Sequence, residues 1–220
     1  MEKMTIVLAT SNHGKSKEIR DFLKDFPVDI KDLNDFGPIP EVKEDGKTFE
    51  ENAYKKASFT AKVLGLPALA DDSGLEVKVL NGAPGIHSAR YAGPDASDAE
   101  NNAKLLEALS GVTDREARFC CVLSLAVPTG PALTYEAFCE GVVVEKPRGE
   151  KGFGYDPLFY YSAMDKTFGE MTLEEKSQVS HRGRALIDFK KELDKILAWL
   201  DKRMKEEKLL RLGEICLGHS

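Results

Sequence analysis

The chain contains 220 residues, which is enough for one sizeable core or for two small lobes around a cleft. Hydrophobic residues make up 42% and charged residues 31%, a balance typical of a globular protein rather than of extended disorder. The formal net charge of −6 provides no basic field for a nucleic-acid backbone. We therefore expect no nucleic-acid partner. A small phosphorylated ligand, held by a local site, is more compatible with this net charge.

The cysteines and the N-terminal segment indicate a cellular compartment. The 4 cysteines have neither the paired spacing of a metal site nor the density of a disulfide scaffold, so we interpret them as reduced thiols. No secretory signal precedes the first apolar run, and no stretch approaches membrane-spanning length. These features predict a cytoplasmic enzyme with no membrane partner.

Strand and helix patterns alternate in the first part of the chain. Apolar residues at 5–9 predict a strand, and a helix follows after a loop at 10–15, because apolar residues recur with helical spacing from Ile19 to Phe26. A second helix is predicted over 48–64, where Thr48 and Glu51 have the spacing of a capping box.

The second part of the chain is richer in strand patterns. The predicted elements are a strand at 75–79, a helix at 99–109, strands at 119–127 and 135–144 joined by a turn at 128–131, a strand at 158–161 and a closing helix to 200. The two long strands predict an antiparallel hairpin. Together with the early alternation they indicate an α/β or α+β protein with a mixed sheet.

The run from Leu69 to Leu75 contains adjacent carboxylates, Asp71 and Asp72, where an apolar strand is expected to break into a turn at Gly74. Neighbouring carboxylates repel each other, so such a pair is usually stabilised by a divalent cation or a shared proton. The alternative interpretation is an Asx turn closed by the Asp-Ser-Gly sequence.

The segment from Ala9 to Ser16 follows a strand and opens a helix. Its free amides and the positive helix end are suited to bind phosphate, and Lys15 adds a full charge. Read loosely, this segment is a P-loop with Ala9 in place of the first glycine, in which Asp71 or Asp72 would serve as the magnesium carboxylate. A helix N-cap with a solvated lysine is the remaining alternative.

Two later segments and one acidic stretch add to the candidate site. The segment 152–157 combines glycines, aromatic rings and a carboxylate, which suits a base-stacking loop, although core aromatics in a turn would look the same. Lys176 and the segment 180–183 bring three potential cations together, or they form a solvated helix start. Most of the acidic residues around Glu44 are interpreted as negative charges that interact favourably with the positive end of the second helix.

Four segments together resemble the inosine triphosphate pyrophosphatase family, which hydrolyses non-canonical purine nucleoside triphosphates. The order and spacing of these segments match the family, and the similarity extends from Thr5 to about Leu200. The segments are Thr10-Ser11-Asn12-His13-Gly14-Lys15, Ala70-Asp71-Asp72-Ser73-Gly74-Leu75, Gly152-Phe153-Gly154-Tyr155-Asp156-Pro157 and Ser180-His181-Arg182-Gly183.

The resemblance implies hydrolysis of ITP, dITP and XTP to the monophosphate and pyrophosphate by a Mg²⁺-dependent homodimer. It implies an elongated mixed sheet flanked by helices, with two lobes and a central cleft. Asp72 is the implied general base and metal ligand, and Glu44 is the implied second metal ligand. The implied substrate-binding residues are Thr10, Ser11, Asn12, His13, Gly14, Lys15, Ser73, Phe153, Gly154, Tyr155, Asp156, Lys176, His181 and Arg182.

The domain organisation follows from the same resemblance. Residues 1–200 are expected to form one pyrophosphatase domain, and residues 201–220 a charged C-terminal extension to which nothing is transferred. Three other classes stay open: a P-loop kinase or ATPase, a pyrophosphatase for modified pyrimidine nucleotides, and a nucleotide-binding protein without turnover. Product analysis on a panel of nucleotides distinguishes them.

Overall fold

The protein is built around one mixed sheet of seven strands in the order β2-β1-β3-β4-β5-β6-β7. The computed structural model describes residues 3–40 and 42–217, with side chains through residue 210. The strands are β1 (Met4–Leu8), β2 (Val28–Asp32), β3 (Ala68–Val77), β4 (Glu116–Ala126), β5 (Ala132–Val143), β6 (Phe159–Tyr161) and β7 (Lys166–Thr167).

The topology leaves one edge of β3 open next to the end of β1. Strand β1 pairs in parallel with β2 and β3, whereas β3 to β7 pair antiparallel, which confirms the predicted mixed sheet and hairpin. The β1–β3 pairing ends at Leu8 and Leu69. Beyond Leu69, β3 pairs with no described strand on the β1 side. A crevice at the carboxyl end of a parallel strand is a usual place for a ligand.

Six α-helices flank the sheet in the described part of the chain. They are α1 (His13–Leu23), α2 (Phe49–Leu64), α3 (Asp98–Ala108), α4 (Leu173–Val179), α5 (His181–Lys191) and α6 (Leu193–Leu217). The predicted N-cap of α2 is confirmed, because the Thr48 hydroxyl accepts a hydrogen bond from the Glu51 amide at 3.1 Å. The predicted closing helix is interrupted at Glu192 and forms α5 and α6.

The predicted turn at Asp71-Asp72 is wrong, and so is the alternative Asx turn. Strand β3 continues through both carboxylates, because its residues from Ala68 to Val77 pair one by one with β4. Gly74 fits this strand because a Cβ there would lie 2.4 Å from the Gly85 carbonyl oxygen and from the Ser88 hydroxyl.

Two further boundaries differ from the sequence-based expectation. Helix α1 begins at His13, so Gly14 and Lys15 lie in its first turn rather than in a loop. The expected strand at 75–79 ends at Val77 as part of β3. The short elements β2, β7 and α4 were not predicted, because each has at most seven residues and little periodic signal.

Two large hydrophobic clusters occupy the two halves of the long strands. One contains Leu69 and Leu123 with α1, α5 and α6, and the other contains Leu75 and Phe119 with residues of α3 and β6. The polar segment Asp71–Ser73 lies between the clusters along β3.

Helix α6 runs without a break across the predicted boundary between residues 200 and 201. Leu200 is buried, whereas Leu209 and Leu210 are exposed, so the helix leaves the core after its second turn. Residues 218–220 of the predicted extension lie outside the described part. Across that part, no helix combines the length and apolar character needed to cross a membrane. Cys120, Cys121 and Cys139 are free and buried, as expected.

Candidate active site

The two adjacent carboxylates of β3 project from opposite faces of the sheet, as successive residues of a strand do. Asp71 is fully buried and accepts hydrogen bonds from Arg182 Nε at 2.7 Å and from the Ser73 hydroxyl at 2.7 Å. Lys15 Nζ lies 2.6 Å from Oδ1 of the same carboxylate. Burial opposes ionisation, but Arg182 and Lys15 outweigh it and hold the pKa of Asp71 well below its usual value. Asp71 is therefore an internal anion that holds cationic side chains.

Asp72 points to the other face, toward α2. Its Oδ1 accepts a hydrogen bond from Lys56 Nζ at 2.6 Å, and Lys56 also donates to the Asp71 carbonyl oxygen at 2.9 Å. Glu44 Oε2 lies 3.6 Å from the same ammonium. Burial raises the pKa of Asp72 above its usual value, although Lys56 and Lys15 oppose the shift. A carboxylate with a raised pKa is suited to take a proton.

A cavity of about 800 Å³ lies in front of Asp72. Glu44, Lys56 and Asp72 line it from one side, and the segment before and within the start of α1 lines it from the other. The predicted site residues found on its wall are Thr10, Ser11, Asn12, His13, Lys15, Glu44, Asp72 and Ser73. Gly14 does not line this cavity and lies behind Phe153.

The start of α1 is built to receive an anion. Asn12 caps the helix, because its side-chain oxygen accepts a hydrogen bond from the Lys15 amide at 3.1 Å, and the Thr10 hydroxyl accepts one from the Asn12 amide at 3.2 Å. The remaining first-turn amides have no partner within a helix, and the macrodipole adds positive potential there. This geometry is favourable for binding phosphate.

The carboxylates on the cavity wall fit a Mg²⁺ ion that is bound partly by the protein and partly by the phosphates of a substrate. In the part of the chain with described side chains, no group of three or more His, Cys, Asp and Glu residues is arranged to hold a metal ion. Asp72 and Glu44 nevertheless converge on one ammonium, that of Lys56. Mg²⁺ commonly takes one or two carboxylates and completes its shell with waters and phosphate oxygens. Asp72 and Glu44 match that donor set.

A second cavity of about 170 Å³ joins the first and has a different lining. Both cavities share Asn12, Lys15, Ser73 and Ala89. The predicted site residues on the wall of the smaller cavity also include Phe153, Gly154, Tyr155, Asp156, Lys176, His181 and Arg182. The structure therefore brings together every predicted site residue except Gly14 along one continuous groove.

Phe153 lies between Gly14 of α1 and the cations of α4 and α5. A Cβ at Gly14 would lie 2.4 Å from Phe153 Cδ1, so a larger residue there requires the ring to move. Lys176 Nζ lies 4.8 Å from the centre of the ring.

The Gly154 amide donates to Asp98 at 2.6 Å, and Asn102 donates to the Gly154 carbonyl at 3.0 Å, so α3 fixes the backbone beside the ring.

Glu18 of α1 joins the cations of the smaller cavity. Lys176 Nζ donates to Glu18 at 2.7 Å and to Asp156 at 2.5 Å, and Arg182 donates to Glu18 through Nη1. Burial opposes ionisation of Glu18, but Arg182 and Lys176 lower the pKa of its carboxyl. The alternative of a solvated helix start is wrong for His181 and Arg182, because both are buried.

The imidazole of His181 lines the smaller cavity. Its ring stacks on Phe119 with centroids 4.5 Å apart, and its Nδ1 is buried without a hydrogen-bond partner in the described part of the chain. Burial, with Arg182 and Lys176 nearby, lowers the pKa of His181 well below its usual value. The imidazole is therefore neutral at pH 7 and brings a ring and no charge to the wall of this cavity.

Comparison with known proteins identifies the family to which this arrangement belongs. The sequence model of the Ham1 family matches residues 6–192. This chain belongs to the Ham1 family. A dITP/XTP pyrophosphatase of Syntrophobacter fumaroxidans is 70% identical over 96% of this chain and 91% of that protein. A dITP/XTP pyrophosphatase of Desulfotalea psychrophila is 60% identical over 92% of this chain and 91% of that protein.

Solved structures of Ham1 proteins have the same fold. A HAM1 protein from Coxiella burnetii superposes with a TM-score of 0.80 at 43% identity, covering 87% of this chain and 99% of that one. The Staphylococcus aureus Ham1 protein superposes with a TM-score of 0.74 at 43% identity, covering 84% of this chain and 95% of that one. The predicted family and mixed α/β fold are confirmed.

Several charged residues of the site in this Ham1-family chain were not predicted from the sequence, among them Lys56 and Glu18. Lys56 carries a detectable signal, because Asn52, Lys56 and Thr60 recur every four residues on α2 and form a polar stripe beside its alanine face. All three are buried. Glu18 has a weaker signal, its position three residues after Lys15 on the same side of α1.

Proposed function

We propose that this chain hydrolyses the non-canonical purine nucleoside triphosphates dITP, ITP and XTP to the nucleoside monophosphate and pyrophosphate, which removes damaged nucleotides from the precursor pool. The names of the similar Ham1-family enzymes support this substrate class. The proposal rests mainly on the continuous groove that the two cavities form. One end has a helix N-terminus and two carboxylates for a triphosphate and metal, and the other has an aromatic ring and a buried imidazole for a base.

Asp72 is the proposed general base. Its carboxylate orients a water molecule and takes its proton as the water oxygen bonds to the α-phosphorus, and the bond from that phosphorus to the bridging oxygen breaks to release pyrophosphate. Lys56 holds Asp72 in place and favours its ionised form. Asp72 and Glu44 would hold Mg²⁺, which supplies charge neutralisation on the phosphates when bound. Lys15 and the α1 amides stabilise the remaining negative charge.

The smaller cavity is the proposed purine site. A 6-keto purine presents an acceptor where adenine presents a 6-amino donor, so a donor from His181 or Arg182 favours ITP over ATP. Arg182 is already held by Asp71, Glu18 and Ser73, whereas His181 Nδ1 has no partner within the described structure. Leaving a buried donor unpaired costs about 1–3 kcal/mol, which corresponds to roughly tenfold to hundredfold discrimination per contact.

The quaternary and cellular context is proposed from the family resemblance. We propose a cytoplasmic homodimer with a pyrophosphatase domain at 1–200 and a C-terminal extension at 201–220, acting on a small-molecule partner rather than nucleic acid. Light scattering on the purified chain tests the dimer, and a monomer at micromolar concentration contradicts it. Truncation after Leu200 tests whether the extension is dispensable for turnover.

A nucleotide panel with Mg²⁺ tests the activity. We expect ITP, dITP and XTP to yield monophosphate and pyrophosphate by chromatography, and the Asp72→Asn variant to lose turnover. A diphosphate product would indicate the kinase or ATPase alternative, and a preference for modified pyrimidine nucleotides would indicate the related pyrophosphatase. Binding without any product would indicate a nucleotide sensor.

A further inference from the structure

The lysines of the triphosphate groove are already paired with carboxylates. Lys15 lies 2.6 Å from Asp71, and Lys56 lies 2.6 Å from Asp72 and 3.6 Å from Glu44. These pairs bring almost no net positive charge to the groove. A triphosphate is a polyanion, so a cation that no carboxylate neutralises would add to the positive potential of the α1 amides and of a bound Mg²⁺.

Arg90 is a cation of that kind. It is half-buried at the end of the 3₁₀ segment Gly85–Arg90 and lines the cavity of about 800 Å³ that also contains Asp72 and Lys56. Within residues 3–40 and 42–210, its guanidinium makes no hydrogen bond, ion pair or ring contact. Arg90 does not line the smaller cavity, so it faces the triphosphate end of the groove rather than the purine end.

The backbone on both sides of Arg90 is held firmly. Asn101 of α3 is 3% exposed, donates to the Ala89 carbonyl at 3.2 Å and accepts from the Ala92 amide at 2.8 Å. The Ser88 hydroxyl accepts from the Leu75 amide of β3 at 2.9 Å. The structure thus fixes the position of Arg90 relative to β3, while its side chain has no partner among the side chains that the structure describes.

We propose that Arg90 binds the β- and γ-phosphates of the substrate and stabilises the charge that develops on pyrophosphate as it leaves. The proposal rests on the proposed function and names a further residue for it. A guanidinium is always charged and binds phosphate oxygens through two parallel N–H groups, which gives a stronger and better oriented contact than a lysine. A cation near the leaving group lowers the barrier when its attraction increases in the transition state.

The test compares wild type with Arg90→Ala and Arg90→Lys, and uses Arg118→Ala as the control. Arg118 is exposed, pairs with Glu76 and lines neither cavity of the groove. We expect Arg90→Ala to lower kcat/KM for ITP about 10- to 100-fold, because it removes a charge-assisted contact. The Ki of pyrophosphate should rise by a similar factor, while that of IMP stays within about twofold. Arg90→Lys should recover part of both losses.

Direct calorimetry with Mg²⁺ and pyrophosphate separates this proposal from the proposed function. If wild type releases no pyrophosphate from ITP, the proposed function fails, but the pyrophosphate affinities of wild type and Arg90→Ala still test the contact. Equal pyrophosphate affinity in the two proteins overturns the role of Arg90, and so does a wild type that binds no pyrophosphate. An equal loss of IMP and pyrophosphate affinity also overturns it, because the defect would then be general.

Discussion

Lys56 of α2 donates a hydrogen bond to Asp72 of β3 at 2.6 Å and so joins the helix to the proposed catalytic base. The same ammonium donates to the Asp71 carbonyl oxygen, and both side chains are buried. Burial opposes the charge on Lys56, but Asp72 and Glu44 outweigh it and raise the pKa of Lys56 above its usual value. Lys56 is therefore a permanent cation that favours the ionised form of Asp72.

Replacing this ammonium should move the pH dependence of the reaction. In Lys56→Gln, the pKa of Asp72 rises further because burial is no longer opposed by the neighbouring charge. The base is then protonated over a wider range, so the acid limb of kcat/KM for ITP should move to higher pH and the maximum should fall at least about tenfold. Lys55→Gln is the matched control, because Lys55 is the neighbouring lysine on α2 and is only half-buried. An unmoved acid limb would remove Lys56 from the mechanism.

Asp71 should contribute to stability rather than to turnover. Asp71→Asn leaves the buried Arg182 without one carboxylate and should lower the free energy of unfolding by about 3–5 kcal/mol at pH 7. Because the folded-state pKa of Asp71 is lowered, this contribution is present above the unfolded pKa of about 4 and is lost as the pH falls toward the folded pKa.

Urea unfolding at pH 7 and at about pH 3.5 measures this dependence. The gap between wild type and Asp71→Asn should be largest at pH 7 and should shrink at the lower pH. Asp188→Asn, at an exposed carboxylate on α5, is the control and should change little. A gap that grows as the pH falls would contradict the assigned direction of the pKa shift.

Much of this fold could be predicted from periodicity, and the failures have physical reasons. The Asp71-Asp72 run resembles a strand end in sequence because carboxylates are rare inside strands, but Arg182 and Lys15 make the burial of Asp71 possible and β4 pairs throughout. Those partners are 111 and 56 residues away in sequence. Local patterns do not contain such contacts.

The residues that line the groove could be predicted better than the contacts among them. The order of the motifs was sufficient to predict which residues lie together along the groove, because the resemblance extends from Thr5 to about Leu200. It did not show that Lys15 and Arg182 are both held by Asp71, or that Lys56 faces Asp72. Charge pairing across elements depends on how helices pack on the sheet.

Gly14 should be required for the position of the Phe153 ring. In Gly14→Ala the new methyl group would lie 2.4 Å from Phe153 Cδ1, so the ring must shift. We expect the KM for ITP to rise about 2- to 10-fold, because a stacked aromatic contact is worth about 0.5–1.5 kcal/mol beyond burial. Helix α1 should remain folded, since alanine is favoured over glycine in a helix by about 1 kcal/mol.

Steady-state kinetics with ITP and circular dichroism check this prediction together. The double variant Gly14→Ala, Phe153→Leu is the control, because it removes the ring that the methyl group displaces. It should have the same KM as Phe153→Leu alone. An unchanged KM in Gly14→Ala would show that the ring position has no part in binding.

His181 should determine selectivity for 6-keto purines. His181→Phe retains a ring that can stack on Phe119 but removes Nδ1. We expect the ratio of kcat/KM for ITP over ATP to fall roughly tenfold to hundredfold, through loss of one discriminating contact. Arg182→Ala provides the comparison. In this variant Asp71 and Glu18 lose a partner, which affects the overall rate, so the informative quantity is the ratio of kcat/KM for ITP over ATP. An unchanged ratio in His181→Phe would exclude His181 from base recognition.

The most direct measurement is pyrophosphate release from ITP by wild type and by Asp72→Asn, with Mg²⁺ and with melting curves to verify folding. If Asp72 takes the proton of the attacking water, Asp72→Asn should lose about 10²- to 10⁴-fold in turnover while remaining folded. A folded Asp72→Asn protein that releases pyrophosphate at the wild-type rate would contradict the assignment of the base.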